Sequence, residues 1–519
     1  MTALRLIYNF WLTPWDLLGD EAYYWLQARH LDINYAEKGP LLAWMIAVCC
    51  KAFGDVEWAV RLPAVLSAAA AAWGVGRLGI ALARGDQRVG FLAVLVYFLL
   101  PANTANAQIC TQDGPMTVLW IALTAVSLRI FRLWRAGNAT WGEWMLFWAL
   151  MGVGVLLKQS IFIFLGGMGV YWLISRKELP LKGVWFAQQA AGVVVLLAIC
   201  SPMILWDSRH GWLMVSHTLG HLGAGGDQTG KIFKGNFLNW EANTIGSFIG
   251  IFGPAGVILM VWSWVWACKT RREDPSLWRD QLWLILASWF ATFFFIALSL
   301  RKPIVPSWPL PNMAPMCAVV AHFLVSVAPP FRAVSALPAS GQKPRANPHL
   351  RRVFAFTLIY GIAAIILLAF PTFLGKLPKY GPKIQEKVLD QVMSNKPAAA
   401  KLQDVIDQVT APDGAPPLIV VRHYQTAALM SFYLRGNPDV SSSGRYIDKR
   451  PSNFDHWPGT NLENPAHFGK RMVLDSEDRF VWDDVLFFDT KREAGNGQHW
   501  IAENYRGVKP AYLERAGRR

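Results

Sequence analysis

Two pairs of charged residues near the start of the chain have side chains suited to acid–base and phosphate chemistry. Asp20 and Glu21 precede a run of aromatic residues that includes Tyr24, and Glu37 and Lys38 stand side by side before Gly-Pro. A carboxylate can take a proton from an attacking group, and a lysine can bind a phosphate. An aspartate here is also an ordinary helix cap, and Lys38 could simply pair with Glu37, so both interpretations stay open.

Asp113 and two histidines extend this set of candidates. Asp113 lies in TQDGPMTVLW, where Asp-Gly-Pro is also a common helix start. His217 and His221 are four residues apart, so on a helix they share a face, as metal-binding pairs do. They are therefore a candidate pair of ligands for a divalent metal ion; the alternative is a pair of interfacial histidines.

The composition indicates a membrane protein that must position these residues. Of the 519 residues, 53% are hydrophobic and only 16% are charged, whereas soluble domains carry about 25% charge. Apolar runs, the first near residues 3–18, predict a polytopic α-helical membrane protein with about 11 transmembrane helices. The formal charge of +15 then reflects Lys and Arg in cytoplasmic loops and gives no reason to expect nucleic-acid binding.

The distribution of basic residues predicts the topology. With the N-terminus inside, every predicted cytoplasmic connection is basic, as the positive-inside rule requires. The opposite side then holds loops near residues 16–58 and 207–243 and a short turn at Arg301 and Lys302. A basic pair on the outside indicates an anionic partner such as a lipid phosphate, or snorkelling to lipid headgroups. All the candidate residues therefore fall on the outer face.

The composition changes near Lys376, after which no further span is predicted. The stretch PLIVVRHYQTAALMSFYL is typical of a buried strand, a turn and a helix. We therefore expect a transmembrane catalytic domain over residues 1–375 and a soluble extracytoplasmic α/β domain over 376–519. None of the six cysteines lies after Cys317, so this domain has no disulfide framework.

Several motifs together resemble a known enzyme superfamily. The chain is similar to the membrane glycosyltransferases of the GT-C superfamily, specifically to bacterial relatives of the protein O-mannosyltransferases (family 39) and to the lipid A aminoarabinose transferases. The segments that carry this resemblance are GDEAYYWLQARHL, YAEKGPLLAW with RLPAVL, TQDGPMTVLW, LLKQSIFIFLGG, LWDSRHGWLMVSHTLGH, RKPIVPSWPLP, YQTAALMSFYLRGNP and SNFDHWPG. Gly39 stands where aminoarabinose transferases usually have proline, which leaves the sugar open.

The resemblance implies a GT-C fold and transfer of a sugar from a polyprenyl phosphate donor to an envelope acceptor. That acceptor would be lipid A, the lipopolysaccharide core or another glycolipid at the periplasmic face of the bacterial inner membrane. It also assigns roles to residues. Asp20 and Asp113 would be catalytic; Glu21, Tyr24, Glu37, Lys38, Arg61, His217, Arg301 and Lys302 would bind substrate; and Glu37, His217 and His221 would hold any metal.

Three other functions remain as alternatives. The first is protein O-glycosylation, which uses the same donor chemistry. The second is a lipid or solute transporter, although transporters usually carry inverted repeats and charges near the bilayer midplane, and neither is evident here. The third is a sensor with an outer ligand-binding domain, which leaves the loop acids and outer cations without a purpose.

Overall fold

A computed structural model of the chain is dominated by helices. It describes residues 2–138, 140–222, 237–300, 304–305, 307–327, 348–376, 378, 381–410, 414–475, 482–495 and 497–516. The strands that it describes all lie between Leu418 and Val508. Arg301 and Lys302 and the side chain of His221 lie outside the described residues.

Long apolar helices identify the chain as a multi-pass membrane protein. Within the described residues, six are long and apolar enough to cross a bilayer: Glu57–Leu82, Asp113–Arg135, Gly183–Arg209, Pro275–Ser299, Leu310–Val327 and Pro348–Ala369. A seventh span is formed if Ala242–Phe252 and Pro254–Glu273, which meet at 87°, count as one. Shorter apolar helices are Leu41–Phe53, Gln87–Leu99 and Gln159–Ser175, below the roughly 20 residues that a bilayer needs. The expected count of about 11 is not confirmed and stays a prediction.

The first helix is shorter than the span expected over residues 3–18. An α-helix over Thr2–Ile7 continues as a π-helical turn over Tyr8–Leu12 and then ends. Thr13 precedes Pro14, and the residue before a proline is pushed out of the helical region by the proline ring. The residues from Thr13 to Leu18 therefore form an irregular segment that leads into the next helix.

The chain divides into two compact units. The helical unit comprises residues 1–9, 62–205 and 229–370. The mixed unit comprises residues 10–61, 206–228 and 371–519, so it combines the loop after the first helix with the C-terminal segment. Its helices of eight or more residues are Gly19–Arg29, Leu41–Phe53, Leu213–Leu222, Asn395–Val409 and Tyr424–Tyr433. Shorter helical turns are Thr372–Gly375, Gly381–Ile384, Asp390–Met393, Gly444–Asp448 and Pro510–Arg515.

Buried tryptophan side chains form hydrogen bonds between helices of the helical unit. The Trp120 indole donates to the carbonyl of Ala287 at 2.9 Å, and the Trp283 indole donates to that of Thr124 at 3.1 Å. Such bonds let tryptophan pack in an apolar interior without an unsatisfied N–H. Other helices of this unit are Pro101–Asn106, Trp141–Val155 and Ile163–Ser175.

A five-stranded mixed sheet forms the core of the mixed unit. Its strands run in the order β2-β1-β3-β6-β5, and β4 and β7 form a separate pair. β1 lies parallel to both β2 and β3, while β6 is antiparallel to β3 and β5. The strands are β1 Leu418–Val421, β2 Val440–Ser442, β3 Met472–Asp475, β4 Leu486–Phe487, β5 Thr490–Glu493, β6 His499–Glu503 and β7 Gly507–Val508.

The parallel part of the sheet determines which residues reach the candidate site. β1 is buried along its whole length and leads through a two-residue turn into the helix Tyr424–Tyr433, as LIVVRHYQ indicates. β2 leads through the short helix Gly444–Asp448 to Arg450. The carboxyl ends of adjacent parallel strands lie at one edge of a sheet, which is where ligand sites in such sheets are usually found.

Candidate active site

Asp20 lies in the first turn of the helix Gly19–Arg29, but it does not cap that helix. The capping position is Leu18, whose backbone N–H donates to Glu21 Oε2 at 3.0 Å. Glu21 therefore satisfies the helix start, and Asp20 is left partly exposed. Asp20 Oδ1 accepts a hydrogen bond from Gln425 Nε2 at 2.9 Å.

Glu21 and Arg61 form a fully buried ion pair. Arg61 Nε lies 3.1 Å from Glu21 Oε1, and Arg61 Nη2 lies 3.0 Å from Glu21 Oε2. The same guanidinium donates to the carbonyls of Trp15 and Asp16. Both residues were predicted to bind substrate. The structure gives them internal partners that hold the start of the helix carrying Asp20, and substrate binding by either residue stays a prediction.

Glu37 and Lys38 do not form the ion pair with each other that the sequence left as one interpretation. Lys38 Nζ donates to the phenol oxygen of Tyr24 at 2.7 Å. Glu37 is 6% exposed, and its Oε1 makes no hydrogen bond within the described part of the chain. Burial raises the pKa of the Glu37 carboxyl, while Arg450 and Lys38 act to lower it. The site thus holds a buried carboxyl beside two cations.

The C-terminal segment supplies residues that the sequence interpretation did not assign to the site. Arg450 Nη2 lies 3.6 Å from Glu37 Oε1, and its guanidinium stands over the ring of Tyr424. Burial raises the pKa of the Tyr424 phenol. The charges of Glu37 and Asp20 raise it further, and those of Arg450 and Lys38 oppose them. Arg450 contacts this phenol directly, and Glu37 lies beside Arg450.

Asn453 ties this C-terminal segment to the first loop. Its Oδ1 accepts from the backbone N–H of Ala36 at 2.8 Å, and its Nδ2 donates to the Tyr23 phenol oxygen at 2.8 Å. Its own backbone N–H also donates to Tyr23, at 3.2 Å. Asn453 is 2% exposed, so these bonds fix the loop one residue before Glu37. The resemblance of YQTAALMSFYLRGNP and SNFDHWPG to family tails was the only signal for Tyr424, Gln425 and Asn453; Arg450 lies in neither motif.

Asp113 belongs to the helical unit and has its own cationic partner. It begins the helix Asp113–Arg135 and is 8% exposed. Lys158 Nζ lies 3.0 Å from Asp113 Oδ1. Lys158 comes from the LLKQS segment, which the sequence interpretation used for the resemblance but did not connect to Asp113. A catalytic role for Asp113 stays a prediction.

The predicted metal site is not assembled from described side chains. His217 is half-buried on the helix Leu213–Leu222, and no group of three His, Cys, Asp or Glu side chains suited to a metal occurs among the described residues. The side chain of His221 lies outside that set, so the Glu37, His217 and His221 combination stays untested. The same holds for the predicted phosphate contacts of Arg301 and Lys302.

The chain is similar to known membrane glycosyltransferases. A family model described as dolichyl-phosphate-mannose-protein mannosyltransferase matches residues 37–206, which include Glu37, Lys38 and Asp113. The undecaprenyl phosphate-alpha-4-amino-4-deoxy-L-arabinose arabinosyl transferase of Yersinia enterocolitica is 22% identical over 371 residues, with 70% of this chain and 61% of that protein covered. The lipid A galacturonosyltransferase RgtD of Rhizobium johnstonii is 24% identical over 50% of this chain and 51% of its own length.

The fold matches that of a solved structure along almost the whole chain. The crystal structure of ArnT from Cupriavidus metallidurans bound to undecaprenyl phosphate aligns with a TM-score of 0.59 at 18% identity, and 96% of each chain is covered. The chain therefore has the fold of this structure, in line with the resemblance found in the sequence. The aligned region spans 61% and 51% of the lengths of the two relatives named above.

Proposed function

We propose that this relative of the GT-C membrane glycosyltransferases transfers a sugar from a polyprenyl phosphate to an envelope glycolipid such as lipid A. The observation that carries the proposal is a series of contacts within the mixed unit. The partly exposed carboxylate of Asp20 is bonded to Gln425, and the neighbouring Tyr424 accepts from Arg450. Arg450 in turn lies 3.6 Å from Glu37, the chain neighbour of Lys38. This set contains both a base and cations for a phosphate. The names of the relatives, a transferase that uses undecaprenyl phosphate and a lipid A galacturonosyltransferase, support the substrate class.

The reaction needs both kinds of group. As the bond between the anomeric carbon and the lipid phosphate breaks, positive charge develops on the sugar and negative charge on the leaving phosphate. Asp20 takes the proton of an acceptor hydroxyl, and Lys38 stabilises the phosphate. If the acceptor is itself a phosphate, little proton transfer is needed and Asp20 mainly orients it. A single displacement inverts the configuration at the anomeric carbon.

The proposed location is the periplasmic side of a bacterial inner membrane. The support is the charge pattern, since each predicted cytoplasmic connection is basic and the loop with Asp20 and Lys38 is predicted on the opposite side. The mixed unit joins this loop to the C-terminal segment, which therefore faces the same compartment. A donor on a polyprenyl chain reaches such a site from the outer leaflet.

Protein O-glycosylation is the second candidate. The description of the matching family model, a protein mannosyltransferase that uses dolichyl phosphate mannose, favours it. The donor chemistry at Asp20 and Lys38 is the same for both acceptors. The two candidates therefore differ only in what carries the product sugar.

Mass spectrometry of envelope glycolipids tests the proposal directly. Cells that lack the gene are compared with cells complemented by the wild type, by Asp20→Asn or by Asp404→Asn. Asp404 is an exposed aspartate on the helix Asn395–Val409, so its variant is a matched control. We expect the wild type and Asp404→Asn to add the mass of one sugar to a glycolipid, and Asp20→Asn to add none.

Two other outcomes would change the assignment. A sugar found only on proteins would move the function to O-glycosylation. Turnover by Asp20→Asn close to that of the wild type, at equal membrane abundance, would contradict the role of Asp20 as the base.

A further inference from the structure

Arg450 is a cation for which the sequence analysis assigned no role, and the fold holds it at the candidate site. It follows β2 through the helix Gly444–Asp448, and the guanidinium carbon lies 4.6 Å from the centroid of the Tyr424 ring. Nη2 donates to the Tyr424 phenol oxygen at 3.2 Å. Three residues later, Asn453 is bonded to both Tyr23 and Ala36. Arg450 therefore stands next to an anchored segment and is oriented by a ring.

The pairing of Arg450 with Glu37 leaves N–H donors of the guanidinium without a hydrogen bond to Glu37. The separation of 3.6 Å is too long for a hydrogen bond, and the Arg450 side chain is 45% exposed. The pair thus joins a half-exposed guanidinium to a buried carboxyl without a hydrogen bond between them. Within the described residues the guanidinium makes one hydrogen bond, to Tyr424, although it carries five N–H donors. Most of its donors are available to a ligand.

The surroundings favour an anion that carries more than one oxygen. Lys38 presents an ammonium from the first loop, and Arg450 presents a guanidinium from the C-terminal segment; both act on Glu37. Arg450 Nη2 lies 3.6 Å from Glu37 Oε1, and Lys38 is the next residue of the chain after Glu37. A guanidinium can bind two phosphate oxygens at once, whereas an ammonium acts as a point charge.

We propose that Arg450 is a phosphate-binding residue of the active site, acting beside Lys38 from the C-terminal segment. The inference rests on the proposed function, because it names a second contact for a phosphate at the same site. The phosphate belongs either to the polyprenyl donor or to the acceptor glycolipid, and the chemistry of recognition is shared. The C-terminal segment thus completes the site instead of only covering it.

Equilibrium binding to the purified full-length protein tests this proposal. The ligands are undecaprenyl phosphate, undecaprenol without the phosphate, and lipid A with its phosphates. The proteins are the wild type, Arg450→Gln, Arg450→Lys and Arg435→Gln. Arg435 also lies in the C-terminal segment but is 71% exposed and paired with Asp407, so it serves as the matched control.

We expect Arg450→Gln to weaken binding of one phosphate ligand about tenfold, with undecaprenol unaffected. Arg450→Lys keeps the positive charge but loses the paired N–H donors that can bind two phosphate oxygens. An intermediate loss of binding affinity is therefore expected. A loss confined to undecaprenyl phosphate assigns the contact to the donor, and a loss confined to lipid A assigns it to the acceptor. Arg435→Gln should bind as the wild type does.

The result that overturns the inference is equal binding of both phosphate ligands by Arg450→Gln and the wild type. An equal loss for undecaprenyl phosphate and undecaprenol overturns it as well, because the phosphate would then not be the group recognised. If the wild type itself binds no undecaprenyl phosphate, both the proposed function and the inference about Arg450 fail. Failure of the inference alone is therefore distinguishable from failure of the proposed function.

Discussion

Asp20 Oδ1 and Gln425 Nε2 are joined by a 2.9 Å hydrogen bond although the two residues are 405 positions apart in the chain. The bond connects the first turn of the helix Gly19–Arg29 with the first turn of the helix Tyr424–Tyr433. The carboxylate assigned as the base is thus oriented by the C-terminal segment.

Gly19 allows this close approach, which leads to the first prediction. A Cβ at Gly19 would lie 2.7 Å from Gln425 Cβ, closer than two carbon atoms can pack. We expect Gly19→Ala to push the helices apart, to destabilise the protein by about 1–3 kcal/mol and to reduce turnover at least about tenfold. Thermal unfolding in detergent and a transfer assay measure the two effects.

Gly142→Ala is the matched control for Gly19→Ala. A Cβ at Gly142 meets no atom within 4 Å, and the residue lies in the helix Trp141–Val155. Alanine favours a helix over glycine by about 1 kcal/mol, so this variant should be neutral or slightly more stable. Wild-type stability and turnover in Gly19→Ala would mean that the helices tolerate separation at this point.

The buried Glu21–Arg61 pair gives the second prediction. Arg61→Met leaves Glu21, which is completely buried, without its cation. Breaking a buried pair in this way costs about 3–5 kcal/mol, so we expect a large drop in the unfolding temperature. The double variant Glu21→Gln with Arg61→Met should recover part of the loss, because no uncompensated charge remains.

An exposed pair provides the comparison for this prediction. Arg435→Gln removes the ion pair with Asp407, in which both side chains are largely exposed, and should cost less than about 1 kcal/mol. An effect of Arg61→Met as small as that of Arg435→Gln would show that the buried pair contributes little. Direct substrate binding by Arg61 would then have to be reconsidered.

The sequence indicated the helical membrane character and the candidate residues of the first loop. It did not indicate which residues these candidates contact in the fold. Apolar runs and basic loops are required by the bilayer itself, so short stretches of the sequence are enough to recognise them. The pairing of Glu21 with Arg61 could not be predicted, because the two residues are 40 positions apart in the chain. Arg450 and Asn453 could not be placed at the site, since pairing across 400 residues depends on how β1 and β2 direct the chain.

Asp455 gives a third prediction, which concerns pH. Burial raises the pKa of its carboxyl to about 7; Glu463 and Glu37 add to the effect, and Arg445 and the Ser452 N–H oppose it. The folded protein therefore binds this proton more tightly than the unfolded chain does, where the pKa is about 4. Stability is highest at low pH in this window and falls as the pH rises from about 4 to about 7.

Thermal unfolding at pH 5 and at pH 8 checks the Asp455 prediction. Asp455→Asn keeps an oxygen that can accept the hydrogen bond from Ser452 but cannot ionise. We expect the wild type to lose roughly 2–4 °C more than this variant between the two pH values. Identical pH dependence in the two proteins would mean that Asp455 titrates outside this range.

Lys38 gives the last prediction, which separates its charge from its position. Lys38→Met removes the ammonium and keeps most of the aliphatic chain, so we expect about tenfold weaker binding of undecaprenyl phosphate. Tyr24→Phe removes the phenol oxygen that accepts from Lys38 Nζ at 2.7 Å. The ammonium is then present but less well held, and a loss of about two- to threefold is expected.

Lys51→Met controls for a general loss of positive charge, because Lys51 is exposed at the end of the helix Leu41–Phe53. Its binding of undecaprenyl phosphate should equal that of the wild type. If Lys38→Met and Lys51→Met behave alike, Lys38 does not contact the phosphate, and its bond to Tyr24 has only a structural purpose. If Tyr24→Phe loses as much as Lys38→Met, the phenol itself contributes to recognition, since positioning one ammonium accounts for only part of such a loss.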